Sequence, residues 1–255
     1  MLLRALALIT GCLALSGCSS GPKPEVLAAP RTLTAPYDTS RGEVLWAVAP
    51  LRNESGTTLV DANAMTDHLI GAVEEVAGVR SLPLNRVLSA MSALEMRGVS
   101  TPSDARTLAA ALGADGIVVG TVTAFDPYAP MMGISLALYS RPGGLERGRT
   151  VSIQELRSQA TEPEGTPTNW ADRPLSVYSD RLDAKNHAVL MDLKTFAEGR
   201  TRQPSALGWR RYTASSDLYA QFVMYRGIDG LIGQEWTRVA RVAAGAGTSS
   251  PQPTD

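Results

Sequence analysis

The chain has 255 residues, 44% of them hydrophobic, and a formal net charge of −1. This hydrophobic share is enough to build a packed core, and the balanced charge excludes the broad basic field by which proteins attract nucleic acid. The two cysteines are Cys12 and Cys18, both near the amino terminus. Thiol catalysis and cysteine-ligated metal are therefore excluded from the rest of the chain.

The amino terminus has the three parts of a secretory signal: the basic Arg4, an apolar run over residues 6–15, and small residues before a cleavage site. The run is shorter than the roughly 20 apolar residues that a membrane-spanning helix needs. The sequence Leu15-Ser16-Gly17-Cys18 resembles the signal of bacterial lipoproteins. The resemblance implies a signal peptide at residues 1–17 and acylation of Cys18. The alternative is an ordinary cleaved signal with an incidental cysteine.

The lipoprotein resemblance also implies a location. Stable anchoring needs more than one acyl chain, and a triacylated cysteine, with palmitate among its chains, meets that need. In lipoproteins of Gram-negative bacteria an Asp after the cysteine favours the inner membrane. Ser19 stands there instead, so we expect a lipid-anchored protein of the outer membrane that faces the periplasm.

The chain after Cys18 divides into a tether and a folded part. Residues 18–42 are predicted to be a flexible tether, because prolines such as Pro22 and Pro24 oppose regular structure. Residues 43–140 predict an α/β (α+β) fold, a mixed sheet flanked by helices in the order β-α-β-α-α-β-β. The apolar patterns predict strands at residues 43–50, 79–84, 114–125 and 132–139, and helices at residues 57–77, 85–97 and 101–112.

The carboxy-terminal half gives weaker signals. Residues 141–176 are rich in Pro, Gly, Glu and Thr and predict an irregular insertion, with a possible strand at 151–156. Residues 177–243 predict a helical extension made of two helices, at 177–199 and 205–236. The tail, residues 244–255, is expected to be disordered.

Three pieces of the folded part carry a further resemblance. A strand ending in Ala49-Pro50 leads to the turn at residues 53–56, and an amphipathic helix and a short strand follow. Leu112-Gly113-Ala114-Asp115 then joins a helix to an apolar strand that ends in Gly120-Thr121-Val122. This arrangement, over residues 43–140, is similar to the α/β domain shared by the curli-secretion lipoprotein (CsgG), the penicillin-binding-protein activator lipoprotein (LpoB) and the amino-terminal domain of TolB. The resemblance implies an envelope protein that binds other proteins and is not an enzyme.

The best candidate for partner binding is the predicted turn between the last two strands. It presents Tyr128, Met131 and Met132 beside rigid prolines, and aromatic and Met residues are enriched in interface cores. The alternative is that Tyr128 covers the sheet edge. A second candidate is an aromatic stripe at helical spacing, formed by Trp209, Tyr212, Tyr219, Phe222 and Tyr225. Such a stripe predicts core packing, and the alternative is a partner groove or an oligomer contact.

The other polar candidates favour structural roles. His68 and His187 are far apart in sequence, and each is predicted to be an ordinary histidine of a helix. Asp183 lies one helical turn before His187 and is expected to contact it on the helix surface. Asp115 is predicted to lie in a turn, where its side chain accepts hydrogen bonds from nearby backbone N–H groups. No Gly-x-Ser-x-Gly elbow and no phosphate-binding glycine loop occurs, so we expect no catalytic residue, no metal and no cofactor.

Three functions compete at this point. The leading one is a non-enzymatic, outer-membrane-anchored periplasmic lipoprotein that binds a protein partner in the envelope, as an adaptor or regulator of peptidoglycan synthesis or of secretion and assembly. The second is a subunit of a homo-oligomeric ring, which the resemblance to the curli pore allows. The third is an unrecognised hydrolase.

Overall fold

The structure, a computed structural model, describes residues 30–40, 42–140, 145, 173–198, 200 and 206–247. Cys18 and the signal peptide, the possible strand at 151–156 and the end of the tail lie outside the described residues. The strands are β1 (Leu33–Thr34), β2 (Val44–Val48), β3 (Arg52–Asn53), β4 (Val76–Ala77), β5 (Val79–Ser81), β6 (Gly116–Asp126), β7 (Met131–Ser140) and β8 (Ser176–Asp183). The helices are α1 (Ala62–Glu74), α2 (Leu84–Ala93), α3 (Pro102–Leu112), α4 (His187–Ala197), α5 (Arg211–Ala214, after a 3-10 turn at Gly208–Arg210) and α6 (Ser216–Gly247).

Six of the described strands form one mixed sheet, in the order β5-β2-β6-β7-β8, with β3 also beside β6. β2 runs parallel to β5 and β6, whereas β6, β7 and β8 form an antiparallel meander. β2 lies inside the sheet and all five of its residues are buried, as expected for a parallel strand covered on both faces. The predicted α/β class, with a mixed sheet flanked by helices, is confirmed.

Helices cover both faces of the sheet because the strand residues alternate between two cores. On β2, Val44, Trp46 and Val48 belong to the larger core with α1, α4 and α6. Leu45 and Ala47 face the smaller core, which α2 and α3 close. The carboxy-terminal helices therefore pack on the same sheet as the rest of the fold.

Two predicted helices are shorter in the structure. Asp61 caps α1 by accepting hydrogen bonds from two backbone N–H groups of the first turn, so Leu59 precedes the helix and is exposed. At the other end, Val76–Ala77 pairs with β1 instead of continuing the helix. α2 ends at Ala93, and Glu95 then adopts a positive φ of 54°, which a helix does not allow.

The tether prediction is wrong for residues 30–40. Leu33 pairs with Val76, which joins β1 to β4, and Leu33, Ala35 and Tyr37 are buried in the larger core. We call residues 30–40 the strap, because they run along α6. Their apolar side chains decide the outcome despite the neighbouring prolines.

The prediction of a helix at 177–199 is also wrong for the first half of that range. Ser176–Asp183 forms the strand β8, antiparallel to β7, with Ser176 and Leu182 buried and Val177 exposed. This alternation has the period of a strand. The helix begins only at His187, where the Asn186 side chain caps its first turn.

The helix predicted at 205–236 is displaced toward the carboxyl end. Ser215 is extended, so α6 begins at Ser216 and continues to Gly247; residues 244–247 are therefore helical, contrary to the expected disorder. Gly230 lies so close to β8 that a Cβ there would be 2.1 Å from the Tyr178 ring. The glycine allows the helix to rest directly on the strand.

Candidate partner-binding turn and cleft

The turn between β6 and β7 is held in place from both sides. The Asp126 carboxylate accepts hydrogen bonds from the backbone N–H groups of Tyr128 (2.9 Å) and Ala129 (3.2 Å). The N–H of Ala184, just after β8, donates to the carbonyl of Pro130 at 3.0 Å. The turn is thus fixed to both strands and to the end of β8.

Tyr128 projects from this turn into solvent and is 94% exposed. This exposure excludes the alternative that its ring covers the sheet edge. Met131 is partly exposed, so Tyr128 and Met131 remain predicted partner-binding residues.

The prediction for Met132 is wrong. Met132 is fully buried and packs in the larger core with Ile134 and Leu136. The residues of β7 alternate, and Met132 shares with Ile134 and Leu136 the face that packs in the larger core. The alternation in the sequence of β7 already predicts that Met132 lies on the same face as Ile134 and Leu136.

A second surface feature is a cleft of about 470 Å³ between α1, α6 and the end of α4. Its described lining combines aromatic, acidic and basic side chains: Pro30, Asp67, His68, Gly71, Ala72, Glu75, Phe196, Arg200, Tyr212, Gln221 and Tyr225. Sequence reasoning missed this cleft because the residues come from four distant segments.

Arg200 forms one wall of the cleft. Its guanidinium lies 4.0 Å from the Phe196 ring centroid and 4.8 Å from that of Tyr225, which are cation–π distances. The same group pairs with the Glu75 carboxylate and donates to the carbonyl of Phe196 at 3.0 Å. Arg200 thus ties α4 to both α1 and α6.

His68 forms the opposite rim. Its Nε2 lies 2.6 Å from Oδ1 of Asp217 on α6, and Gln221 donates to the same carboxylate at 3.2 Å. The described lining has no Ser, Thr or Cys, so it offers this His–Asp pair no serine, threonine or cysteine nucleophile. His187 is not among these lining residues, so this site contains His68 but not His187.

The described residues include no group of three or more His, Cys, Asp or Glu side chains that could hold a metal ion. Asp115 has a structural role, as predicted, although the prediction named nearby backbone groups and its carboxylate bonds to the neighbouring strand β2. It is fully buried, its carboxylate accepts from the N–H of Leu45 at 3.0 Å, and its own N–H donates to the Leu45 carbonyl at 2.8 Å. Asp115 therefore fastens the start of β6 to β2.

Most of the aromatic stripe belongs to the core. Tyr212, Tyr219, Phe222 and Tyr225 are all buried, whereas Trp209 is half-buried. The Tyr219 hydroxyl donates to the Leu182 carbonyl at 3.0 Å, and burial raises the pKa of this phenol. The core interpretation is confirmed for these four residues, of which Tyr212 and Tyr225 also reach the cleft.

Within the part of the chain that the structure describes, none of the helices combines the length and the apolar character needed to cross a bilayer.

No family model and no curated protein matches this chain. Among solved structures it is similar to the LpoB C-terminal domain from Salmonella enterica, with 11% identity over 58% of this chain and 87% of that one and a TM-score of 0.38. It is similar to a lipoprotein from Neisseria meningitidis, with 15% identity, a TM-score of 0.38, and coverage of 64% of this chain and 99% of that one. It is also similar to the chain of a PelC dodecamer from Paraburkholderia phytofirmans, with 11% identity, a TM-score of 0.28, and coverage of 81% of this chain and 95% of that one. Likenesses at this level identify no activity for this chain, and the resemblance to CsgG and TolB stays a prediction.

Proposed function

We propose that this protein is an acylated lipoprotein of the bacterial outer membrane that faces the periplasm and binds a protein partner in the envelope, without enzymatic activity. The lipoprotein signal ending at Cys18 supports the location. The partner belongs to an envelope complex for peptidoglycan synthesis or for secretion and assembly.

One observation carries the binding role: Tyr128 is almost fully exposed on a turn whose backbone is held by three hydrogen bonds, two to the Asp126 carboxylate and one from the Ala184 N–H. A tyrosine on a fixed backbone has only two side-chain torsions to order on binding, and tyrosines are enriched among the residues that dominate binding energy. Met131 beside it adds an adaptable apolar contact.

The experiment compares wild type with Tyr128→Ala in the native envelope. A photoreactive amino acid at position 131 captures the partner, and the affinity of the identified partner for each variant is then measured. We expect Tyr128→Ala to weaken binding at least tenfold, which corresponds to a hot-spot residue worth more than about 1.4 kcal/mol.

Leu59 offers a matched control, since it is an exposed apolar residue (62%) in the loop before α1. Leu59→Ala is expected to leave the affinity unchanged. Equal affinity of wild type and Tyr128→Ala for the captured protein would refute the binding role of the turn. A mass measurement of the purified protein tests the ring alternative, which requires a multiple of the monomer mass.

A further inference from the structure

The last turns of α6 extend beyond the core. Glu235 is fully buried, but every described side chain from Trp236 to Ala244 is at least partly exposed. The apolar residues among them include Trp236 at 51% and Val242 at 58% exposure. The end of α6 therefore presents large apolar side chains to its surroundings.

These apolar side chains continue the stripe by which α6 packs on the sheet. Ile228, Leu231 and Ile232 are buried in the larger core. At 3.6 residues per turn, Val239 and Val242 extend this stripe past the point where the core ends. Trp236 lies on one flank of the same stripe.

The charges in this segment have one sign. Between Glu235 and Gly247 the charged residues are Arg238 and Arg241. The Arg238 guanidinium pairs with the buried Glu235 carboxylate at 2.8 Å. Arg241 is exposed and adds a positive charge that complements an anionic surface.

The strap limits how far this helix end can lie from the anchor. The Trp236 indole N–H donates to the Thr34 carbonyl at 2.9 Å, and the Tyr225 hydroxyl donates to the Arg31 carbonyl at 3.4 Å. The strap thus runs from Tyr225 toward Trp236, about 16 Å along the helix axis. Only 12 positions separate Cys18 from Pro30, so this connection spans at most about 43 Å.

We propose that the end of α6 docks on the surface of the membrane that holds the acylated Cys18, with Trp236, Val239 and Val242 at the headgroup level and Arg241 toward anionic headgroups. The proposal rests on the lipid anchor of the proposed function. A tryptophan, an apolar stripe and arginines are the composition of helices that lie in the membrane interface. Docking would hold the domain against the membrane in one orientation.

The test uses the full acylated protein in vesicles that contain anionic lipids and brominated acyl chains, which quench tryptophan fluorescence on contact. Wild type is compared with Trp236→Phe, so that the difference isolates Trp236 from the other three tryptophans. We expect quenching of wild type to exceed that of Trp236→Phe, and to decrease when the anionic lipid is replaced by a zwitterionic one. Equal quenching of the two proteins would overturn the proposal.

A pair of aspartate variants tests the apolar face itself. Val242→Asp places a charge on the exposed stripe, and Thr237→Asp places the same charge on the opposite side of the same turns. For the unacylated chain, the added charge alone is expected to lower partition into anionic vesicles by about fivefold in either variant, and Val242→Asp is expected to lower it further because the stripe also loses an apolar contact. Thr237→Asp is expected to lower it less, and an equal loss in both variants would contradict docking by the stripe.

These measurements separate the proposal from the anchor on which it rests. If mass spectrometry finds no acyl chain on Cys18, the anchor fails, and sedimentation of the unacylated chain with vesicles still decides the docking. If the chain is acylated, Trp236 is not quenched and the protein is dimeric, the stripe belongs to a contact between two copies and the docking proposal is wrong.

Discussion

The hydroxyl of Tyr37 in the strap donates a hydrogen bond of 3.1 Å to the carboxylate of Glu235 in α6, 198 positions away in sequence. The carboxylate is fully buried and also accepts from the Ser176 hydroxyl, at the start of β8, and from the Arg238 guanidinium. One side chain therefore fastens the strap, the last helix and the edge strand together.

Removing this carboxylate is expected to be strongly destabilising. Glu235→Ala leaves Arg238, Tyr37 and Ser176 without their shared acceptor, and breaking a buried pair in this way costs about 3–5 kcal/mol. Denaturant unfolding measures the loss. The exposed pair of Arg52 and Glu54 supplies the control, since Glu54→Ala is expected to cost less than about 1 kcal/mol; similar costs for both variants would contradict the role of Glu235.

The buried phenols predict a loss of stability in alkaline solution. Burial raises the pKa of Tyr37 well above its usual value, and the Glu235 carboxylate raises it further. Burial, with Asp180 nearby, raises the pKa of Tyr178 to about 12. Above about pH 10 the unfolded chain releases phenol protons that the folded chain keeps, so the free energy of unfolding falls as the pH rises, by at most about 1.4 kcal/mol per pH unit for each such tyrosine.

Tyr37→Phe separates this effect from the hydrogen bond. At neutral pH the variant is expected to lose about 1–2 kcal/mol, because the Glu235 carboxylate loses a donor. Between about pH 10 and 12 its stability is expected to fall less steeply than that of wild type, because one shifted phenol is gone. Unfolding curves at several pH values measure both, and parallel pH profiles for the two proteins would disprove the contribution of Tyr37.

Two glycines of α6 are expected to respond in opposite ways to alanine. A Cβ at Gly230 would meet the Tyr178 ring at 2.1 to 2.7 Å, so Gly230→Ala is expected to cost about 1–3 kcal/mol through overpacking. A Cβ at Gly233 would meet nothing within 4 Å, so Gly233→Ala is expected to stabilise the protein by up to about 1 kcal/mol through helix propensity. Thermal unfolding of both variants checks this, and stabilisation by Gly230→Ala would show that α6 does not rest on β8 as described.

The elements that could be predicted from the sequence carry their own local signals. The apolar run around Val118 predicts a covered strand, and β6 extends from Gly116 to Asp126. Thr101 and Asp104 form the capping box that begins α3, and Gly113 ends the helix with a φ of 64°. In these places local chemistry and tertiary packing agree.

The errors occur where distant contacts decide the outcome. Residues 177–183 are mostly polar, and only their pairing with β7 makes them a strand. The strap contains prolines, yet the pairing of Leu33 with Val76 holds it on β4, and the hydrogen bond from Tyr37 to Glu235 holds it on α6. The cleft was beyond sequence reasoning for the same reason, since His68 and Asp217 are 149 positions apart.

Acylation at Cys18 is the claim on which the proposed location depends. Mass spectrometry of the amino-terminal peptide from the protein expressed in a Gram-negative envelope tests it most directly, with Cys18→Ala as control. The account predicts a mature chain that begins at Cys18 and carries acyl chains, with palmitate incorporated in wild type and none in Cys18→Ala. A mature chain with an unmodified Cys18 would contradict it.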